Sequence, residues 1–187
     1  IEYAFSARSF FQGNQSLIGD LVRLAIGDAG GETALDLYCG VGLFALPMAK
    51  QFANVIGVEE NSEAIRFAKQ NKARAAAANV EFKRMRVRDF LKGHELSKTD
   101  FVLIDPPRAG AEDHTIELIA KMAPKQISYV SCEPSILARD LRILIDRGYQ
   151  IDAMTAILSA IMLPFMSMPT SCMFTKDGSW IFMRNGW

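Results

Sequence analysis

One cysteine stands where covalent chemistry is possible. The apolar run Ile127-Ser128-Tyr129-Val130 ends in Ser131-Cys132-Glu133-Pro134, and helical spacing begins immediately after it. A thiol between a strand exit and a helix start lies near unpaired backbone N–H groups and the positive end of the helix dipole, both of which favour its thiolate. Such a thiolate is a candidate nucleophile. A packing cysteine belongs inside the apolar run instead, and Cys39 and Cys172 read that way.

Three further strand exits carry groups of interest. Phe101-Val102-Leu103-Ile104 runs into Asp105-Pro106-Pro107-Arg108. The two prolines lack a backbone donor and restrict the residue before them, so the Asp105 carboxylate leaves the strand on a stiff turn. A capped β-turn is the simpler use of an Asp-Pro pair. Asp36-Leu37-Tyr38-Cys39 is followed by Gly40-Val41-Gly42, where glycine permits a tight turn and close approach of a ligand to the backbone. Gly57-Val58-Glu59 ends the next run with a carboxylate, the usual acceptor for ribose hydroxyls. Together these features point to a cofactor containing adenosine. Ala45 occupies the place of the third glycine of a dinucleotide fingerprint, and Asp36 suits a cationic ligand better than a pyrophosphate. S-adenosyl-L-methionine, with an ammonium and a sulfonium, fits these groups better.

Strands and helices must alternate to hold those exits together. Apolar runs at Ala34–Tyr38, Val55–Glu59, Val80–Arg84, Phe101–Ile104 and Ile127–Ser131 predict strands. Helical patterns occupy Gln15–Gly27, Phe44–Gln51, Ser62–Ala77, Asp113–Met122 and Ser135–Arg147, the last with Leu137, Leu141, Leu144 and Ile145 in one stripe. Alternation of this kind predicts an α/β, Rossmann-like domain whose mostly parallel sheet is covered on both faces. Beyond Gly148 the pattern changes to Gln150–Ile157, Cys172–Thr175 and Trp180–Met183, with Asp177-Gly178 read as a hairpin turn. The sheet is therefore expected to end in antiparallel strands. Open α/β sheets bind ligands at the carboxyl ends of their strands, where the four exits lie.

The 187 residues suit one domain, residues 1–187, and half of them are hydrophobic. Twenty-one basic and twenty-one acidic side chains balance, so net charge alone demands no polyanionic partner and forbids none. Three cysteines without disulfide-like spacing fit a reducing cytoplasm. With only His94 and His114 available, no metal site is expected. The most apolar window, Ala153–Met168, is broken by Pro164 and short for a bilayer span, and no membrane association is expected. Because the chain opens at Ile1, it is read as a domain cut from a longer protein.

The segments "LDLYCGVGLF", "VIGVEEN", "LIDPPRAG" and "YVSCEPSILARDL", in this order and preceded by Ser9-Phe10-Phe11-Gln12-Gly13-Asn14, resemble the catalytic domain of the RNA 5-methyluridine methyltransferases over residues 4–157. The resemblance implies S-adenosyl-L-methionine-dependent methylation of a uridine C5 in RNA, with ribosomal RNA expected ahead of transfer RNA, by a monomeric cytoplasmic enzyme. It implies Gln12, Tyr38 and Glu59 as cofactor contacts along with Gly40 and Gly42 of the glycine turn. Asp105 would line the cofactor and base site, Arg108 would contact substrate, and Cys132 would be the nucleophile that adds to C6. Relatives usually carry an N-terminal RNA-binding domain, some with a cysteine-held iron–sulfur cluster, and neither is expected in this chain. An exocyclic-amine methyltransferase also uses an Asp-Pro-Pro turn, but usually with an aromatic where Arg108 stands and without need of a cysteine.

The sequence departs from the family in two places. An acidic residue near the adenine normally follows the third strand. Here the run is Lys83-Arg84-Met85-Arg86-Val87-Arg88-Asp89, with Arg86 at the matching place and Asp89 nearby as a substitute. The run reads either as a solvated strand edge or as a contact to RNA phosphates. In the family a closing strand supplies a glutamate that removes the C5 proton. Residues 134–187 contain neither glutamate nor histidine, and Pro169, Thr170 or Ser171 falls near that place, so residues 158–187 are atypical. Another group or water takes the proton, or the domain binds without turnover, or the tail is altered. Glu133 is a weak substitute because its position suits a helix cap.

Overall fold

The computed structural model describes residues 1–5, 17–93, 98–156 and 179–185. Thirteen elements follow one another among them: α1 Ile18–Ile26, β1 Gly31–Leu37, α2 Ala45–Met48, β2 Phe52–Glu59, α3 Ser62–Arg74, β3 Val80–Arg84, α4 Val87–Gly93, β4 Phe101–Ile104, α5 Thr115–Met122, β5 Gln126–Ser131, α6 Pro134–Asp146, β6 Tyr149–Ala156 and β7 Ser179–Asn185. They build one seven-stranded sheet in the order β3-β2-β1-β4-β5-β7-β6. The first five strands are mutually parallel, and β7 runs antiparallel to both of its neighbours. This is the α/β, Rossmann-like architecture expected from the alternation.

The two faces follow from the two-residue period of the strands. Ala34, Val55, Phe82, Phe101, Leu103 and Val130 turn to one side and pack with α1, α2 and α3. Leu35, Leu37, Val58, Val102, Ile104, Ile127 and Tyr129 turn to the other and pack with α4, α5 and α6. Strands β4 and β5 are buried on both faces, which is why they read as unbroken apolar runs.

Two expectations are corrected. The basic run after β3 is not all strand: β3 ends at Arg84, and Val87–Gly93 forms α4, burying Val87, Phe90 and Leu91 at i, i+3 and i+4. The hairpin expected around Asp177-Gly178 is not how β7 is paired. Both of its edges are taken along their length, by β5 from Gln126 to Ser131 and by β6 from Tyr149 to Ala156. Antiparallel pairing is present, but the partners of β7 are the distant β5 and β6. The expected strand Cys172–Thr175 lies outside the described residues. No helix among the described residues is long and apolar enough to cross a membrane.

Candidate active site

Strand register brings several of the predicted groups to the carboxyl ends of neighbouring strands. Leu37 pairs with Val58 on one side and with Ile104 on the other, and Ile104 pairs with Tyr129. The next residue along each strand therefore belongs to one row: Glu59, Tyr38, Asp105 and Val130, spaced by about 4.8 Å per strand. Cys132 stands two residues beyond Val130. Tyr38, Asp105 and Cys132 thus follow three neighbouring strands at the same end of the sheet, although 94 positions separate the first from the last. Gln12 lies outside the described residues.

The glycine turn is built by backbone geometry that few other residues accept. Tyr38, Gly40 and Gly42 have φ of 65°, 52° and 88°, three alternating left-handed steps that fold the chain back toward α2. A Cβ at Gly42 would stand 2.9 Å from Phe82 Cζ, whereas one at Gly40 would meet nothing within 4 Å. The turn is packed at its base and open at its crown. Asn71, buried in α3, holds it from behind: its Nδ2 donates to the Val41 carbonyl at 3.1 Å and to the Ala4 carbonyl at 3.0 Å, while its Oδ1 accepts from the Ala4 N–H at 2.7 Å. Tyr3 adds a hydroxyl bond to the Leu43 carbonyl. The N-terminal segment is thereby moored to the turn.

Glu59 fastens the front of the turn. Its Oε2 accepts from the Gly40 N–H at 3.2 Å and its Oε1 from the Asn61 N–H at 2.8 Å. Each oxygen keeps a further lone pair for a hydroxyl. The Tyr38 hydroxyl accepts from the Glu112 N–H at 3.3 Å, which leaves its half-buried ring as the part still available. Burial raises the Tyr38 hydroxyl above its ordinary pKa.

Asp36, read from the sequence as suiting a cationic ligand, points into the protein. It is 0 % exposed, and its Oδ2 accepts from the Ala45 N–H at 2.8 Å, capping the start of α2. Its Oδ1 is buried without a hydrogen-bond partner among the described residues. Burial pushes this carboxyl well above the usual range; the Ala45 bond opposes the shift, and the charges of Asp105 and Glu59 add to it. Asp105 keeps a partly exposed surface yet is hemmed in by protein, and that desolvation pushes its carboxyl up to about 7. Its side chain makes no hydrogen bond among the described residues, so it is the uncommitted carboxyl of the three.

Cys132 is exposed, whereas Cys39 is buried under the glycine turn, where burial pushes its thiol well up. Directly after Cys132, Glu133 is the N-cap of α6 and Pro134 its first residue, the position that tolerates proline best. Glu133 Oε1 accepts from the Ser135 hydroxyl at 2.8 Å and the Ser135 N–H at 3.4 Å, so this carboxylate is occupied in starting the helix. The Ser131 hydroxyl closes the turn around Cys132 by accepting from the Glu133 N–H at 3.1 Å. Arg108 is exposed on the turn after Pro107 and forms no ion pair among the described residues. In the basic run Lys83 pairs with Glu81, Arg86 with Glu60 at 3.5 Å and Arg88 with Asp89 at 3.9 Å, while Arg84 is exposed and forms no ion pair among the described residues.

Sequence reasoning did not find Asn71, Glu112 or the group Tyr129–Arg139–Asp140. One signal for the last was present: Asp140 interrupts the apolar stripe Leu137, Leu141, Leu144 and is buried with it. A carboxylate on the core face of a helix requires partners, and their presence is legible even where their identity is not.

Residues 1–157 match the family model described as tRNA (uracil-5-)-methyltransferase. An uncharacterized RNA methyltransferase of Thermotoga maritima is 38 % identical over 146 residues, covering 76 % of this chain and 33 % of that protein. The 23S rRNA (uracil(1939)-C(5))-methyltransferase RlmD of Shewanella sediminis is 40 % identical over 155 residues, covering 81 % of this chain and 35 % of its own length. The chain thus spans about a third of the length of the curated relatives it matches. Among solved structures, the Pyrococcus abyssi tRNA (uracil-54, C5)-methyltransferase in complex with S-adenosyl-L-homocysteine superposes with a TM-score of 0.76 at 30 % identity, covering 97 % of this chain and 41 % of that one.

Proposed function

Because this chain belongs to the tRNA (uracil-5-)-methyltransferase family, we propose that it is the catalytic domain, 1–187, of an enzyme that methylates C5 of a uridine in RNA. Ribosomal RNA is the favoured substrate, since a relative at 40 % identity is a 23S rRNA methyltransferase. The single observation that supports the reading is that the exposed Cys132 follows β5 at the same end of the sheet at which Glu59, Tyr38 and Asp105 stand in one row.

The residues present fit S-adenosyl-L-methionine. Gly40 leaves open space at the crown of the turn, and three carboxyls stand close enough that Asp105 and Glu59 raise Asp36. Such mutual repulsion is relieved by a cationic ligand. Bound there, S-adenosyl-L-methionine supplies an electrophilic methyl group. Glu59 accepts from ribose hydroxyls, the Tyr38 ring and the Gly40–Gly42 backbone wall the site, and Gln12 is a further contact. Arg108 meets the RNA.

Uracil C5 alone is a poor nucleophile. The Cys132 thiolate adds to C6, and the C5=C6 electron pair moves toward the C4 carbonyl, which makes C5 electron-rich enough to take the methyl group. Loss of the C5 proton re-forms the double bond as the C6–S bond breaks, and the electron pair returns to Cys132. Asp105 accepts that proton, as the carboxyl in this row without a hydrogen-bond partner among the described residues. The target nucleotide must be presented unstacked for Cys132 to reach it.

The test is incubation with S-adenosyl-L-methionine and RNA containing 5-fluorouridine, whose C5 fluorine cannot leave as a proton does. A denaturation-resistant RNA adduct, lost in Cys132→Ala, is expected. Folded protein that binds cofactor and RNA without any adduct would overturn the assignment. A second reading, a binding module without turnover, is favoured by the lack of glutamate and histidine in residues 134–187. It predicts binding of cofactor and RNA with no 5-methyluridine formed on ordinary RNA.

A further inference from the structure

Cys132 sits at the apex of a wedge. One arm is β5, along which Tyr129 lies three residues back, about 10 Å at strand rise. The other is α6, along which Asp140 lies seven residues beyond the cap Glu133, also about 10 Å at helical rise. The arms are tied across their open end: the Tyr129 hydroxyl donates to Asp140 Oδ2 at 2.6 Å, inside the core. Arg139 closes on the other oxygen, with Nε at 2.8 Å and a terminal nitrogen at 2.7 Å from Asp140 Oδ1. Asp140 is 1 % exposed, whereas Arg139 remains 54 % exposed.

The same group reaches the loop that carries Asp105. Gly110, with φ of 91°, rests against α6 so closely that a Cβ there would stand 2.6 Å from Ile136 Cγ2 and 2.9 Å from an Arg139 guanidinium nitrogen. Asp113 also acts on the Arg139 charge. The end of this loop at Gly110 is therefore seated on the first turns of α6, against Ile136 and Arg139.

We propose that Tyr129, Asp140 and Arg139 are positioning residues that fix Cys132 relative to Asp105, a role that rests on the reading of Cys132 as the nucleophile. The side chain of Cys132 makes no hydrogen bond among the described residues, so its place is set by the backbone turn it occupies. Without the tie, α6 would be held to β5 by the Ser131–Glu133 turn at one end and by the apolar contacts of Leu137, Leu141 and Leu144 beyond it, and apolar contacts tolerate small slides and rotations. A short, charge-assisted bond does not. Stability alone gives no reason for this group, because well-packed apolar residues replace a buried ion pair without loss in many proteins. Burial and the bond to Asp140 both hold the Tyr129 hydroxyl protonated, so it stays a donor throughout the working pH range.

The experiment compares wild type with Tyr129→Phe, which removes one hydroxyl, and with Asp140→Asn. Three quantities are read on each: the rate of adduct formation with 5-fluorouridine RNA, the affinity for S-adenosyl-L-methionine, and the rate of Cys132 alkylation by iodoacetamide, resolved by peptide mass. Both variants are expected to bind cofactor within about 2-fold of wild type while adduct formation slows about 10-fold or more, as small misplacements of reacting groups do. Cys132 alkylation is expected to change in both. Folded Tyr129→Phe with wild-type adduct and alkylation rates, even with a lowered melting temperature, would overturn the proposal and leave the group a purely structural one. If wild type itself forms no adduct, the uridine reading falls, and the alkylation comparison still decides whether the group positions Cys132.

Discussion

Replacing Asp105 with asparagine removes a charge from a place where burial disfavours it. Burial moves this carboxyl from an ordinary 3.8 to about 7. In the unfolded chain it ionises near its ordinary value, so between the two values the unfolded state gives up its proton while the folded state keeps it. Folding stability therefore falls as pH rises through this window, and the loss is complete above pH 7. A shift of about 3 units corresponds to about 4 kcal/mol at about 1.4 kcal/mol per unit. Water at the exposed face of Asp105 recovers part of this, leaving about 2 kcal/mol as the expected effect. Asp105→Asn keeps the shape and loses the titration; it also relieves Asp36, whose carboxyl Asp105 helps to raise. Urea unfolding from about pH 4.5 to pH 8 should show the two proteins converging at the acidic end and the variant ahead by about 2 kcal/mol at the alkaline end. The same variant should lose methyl transfer. Parallel stability curves across this range, or a variant less stable at the alkaline end, would refute the reasoning.

Other outcomes follow from the same geometry. Gly110→Ala combines a φ of 91° with a Cβ 2.6 Å from Ile136; a loss of about 1–3 kcal/mol in urea unfolding is expected, with slower adduct formation. Asn71→Ala strands the Val41 carbonyl and both backbone groups of Ala4, which should lower stability by about 1–3 kcal/mol and weaken cofactor binding measured by calorimetry. Binding of S-adenosyl-L-methionine should release protons near pH 7, because a cation favours the ionised forms of Asp36 and Asp105. Binding enthalpies that differ between phosphate and Tris buffers would show this release, and equal enthalpies would exclude it.

Local pattern was enough for much of the scaffold. Val80–Arg84 and Phe101–Ile104 read from the sequence as the strands they are, and Ser135–Arg147 as a helix that is offset by one residue. Apolar periodicity and turn chemistry are carried by neighbours along the chain, which is why they are visible there. Helix α4 was legible in the same way, through Val87, Phe90 and Leu91, although it continues a basic run that begins in β3. The motifs around the cysteine at a strand exit, the Asp-Pro-Pro turn and the paired glycines were also enough to identify the family.

What the sequence could not decide is which partner each polar group meets. Asp36 proved to accept from the Ala45 N–H; Glu59 proved to hold the Gly40 turn; Asp140 reached Tyr129 across the wedge beneath Cys132. Strand β7 found both of its partners far along the chain, although its flanking Asp-Gly pair pointed to a near one. Hydrogen bonds and desolvation depend on atoms brought close by the whole fold. The residue types at Cys132 and Asp105 were set by the sequence, but the isolation of the Asp105 carboxyl and the bracing of Cys132 exist only once the sheet and its helices have assembled.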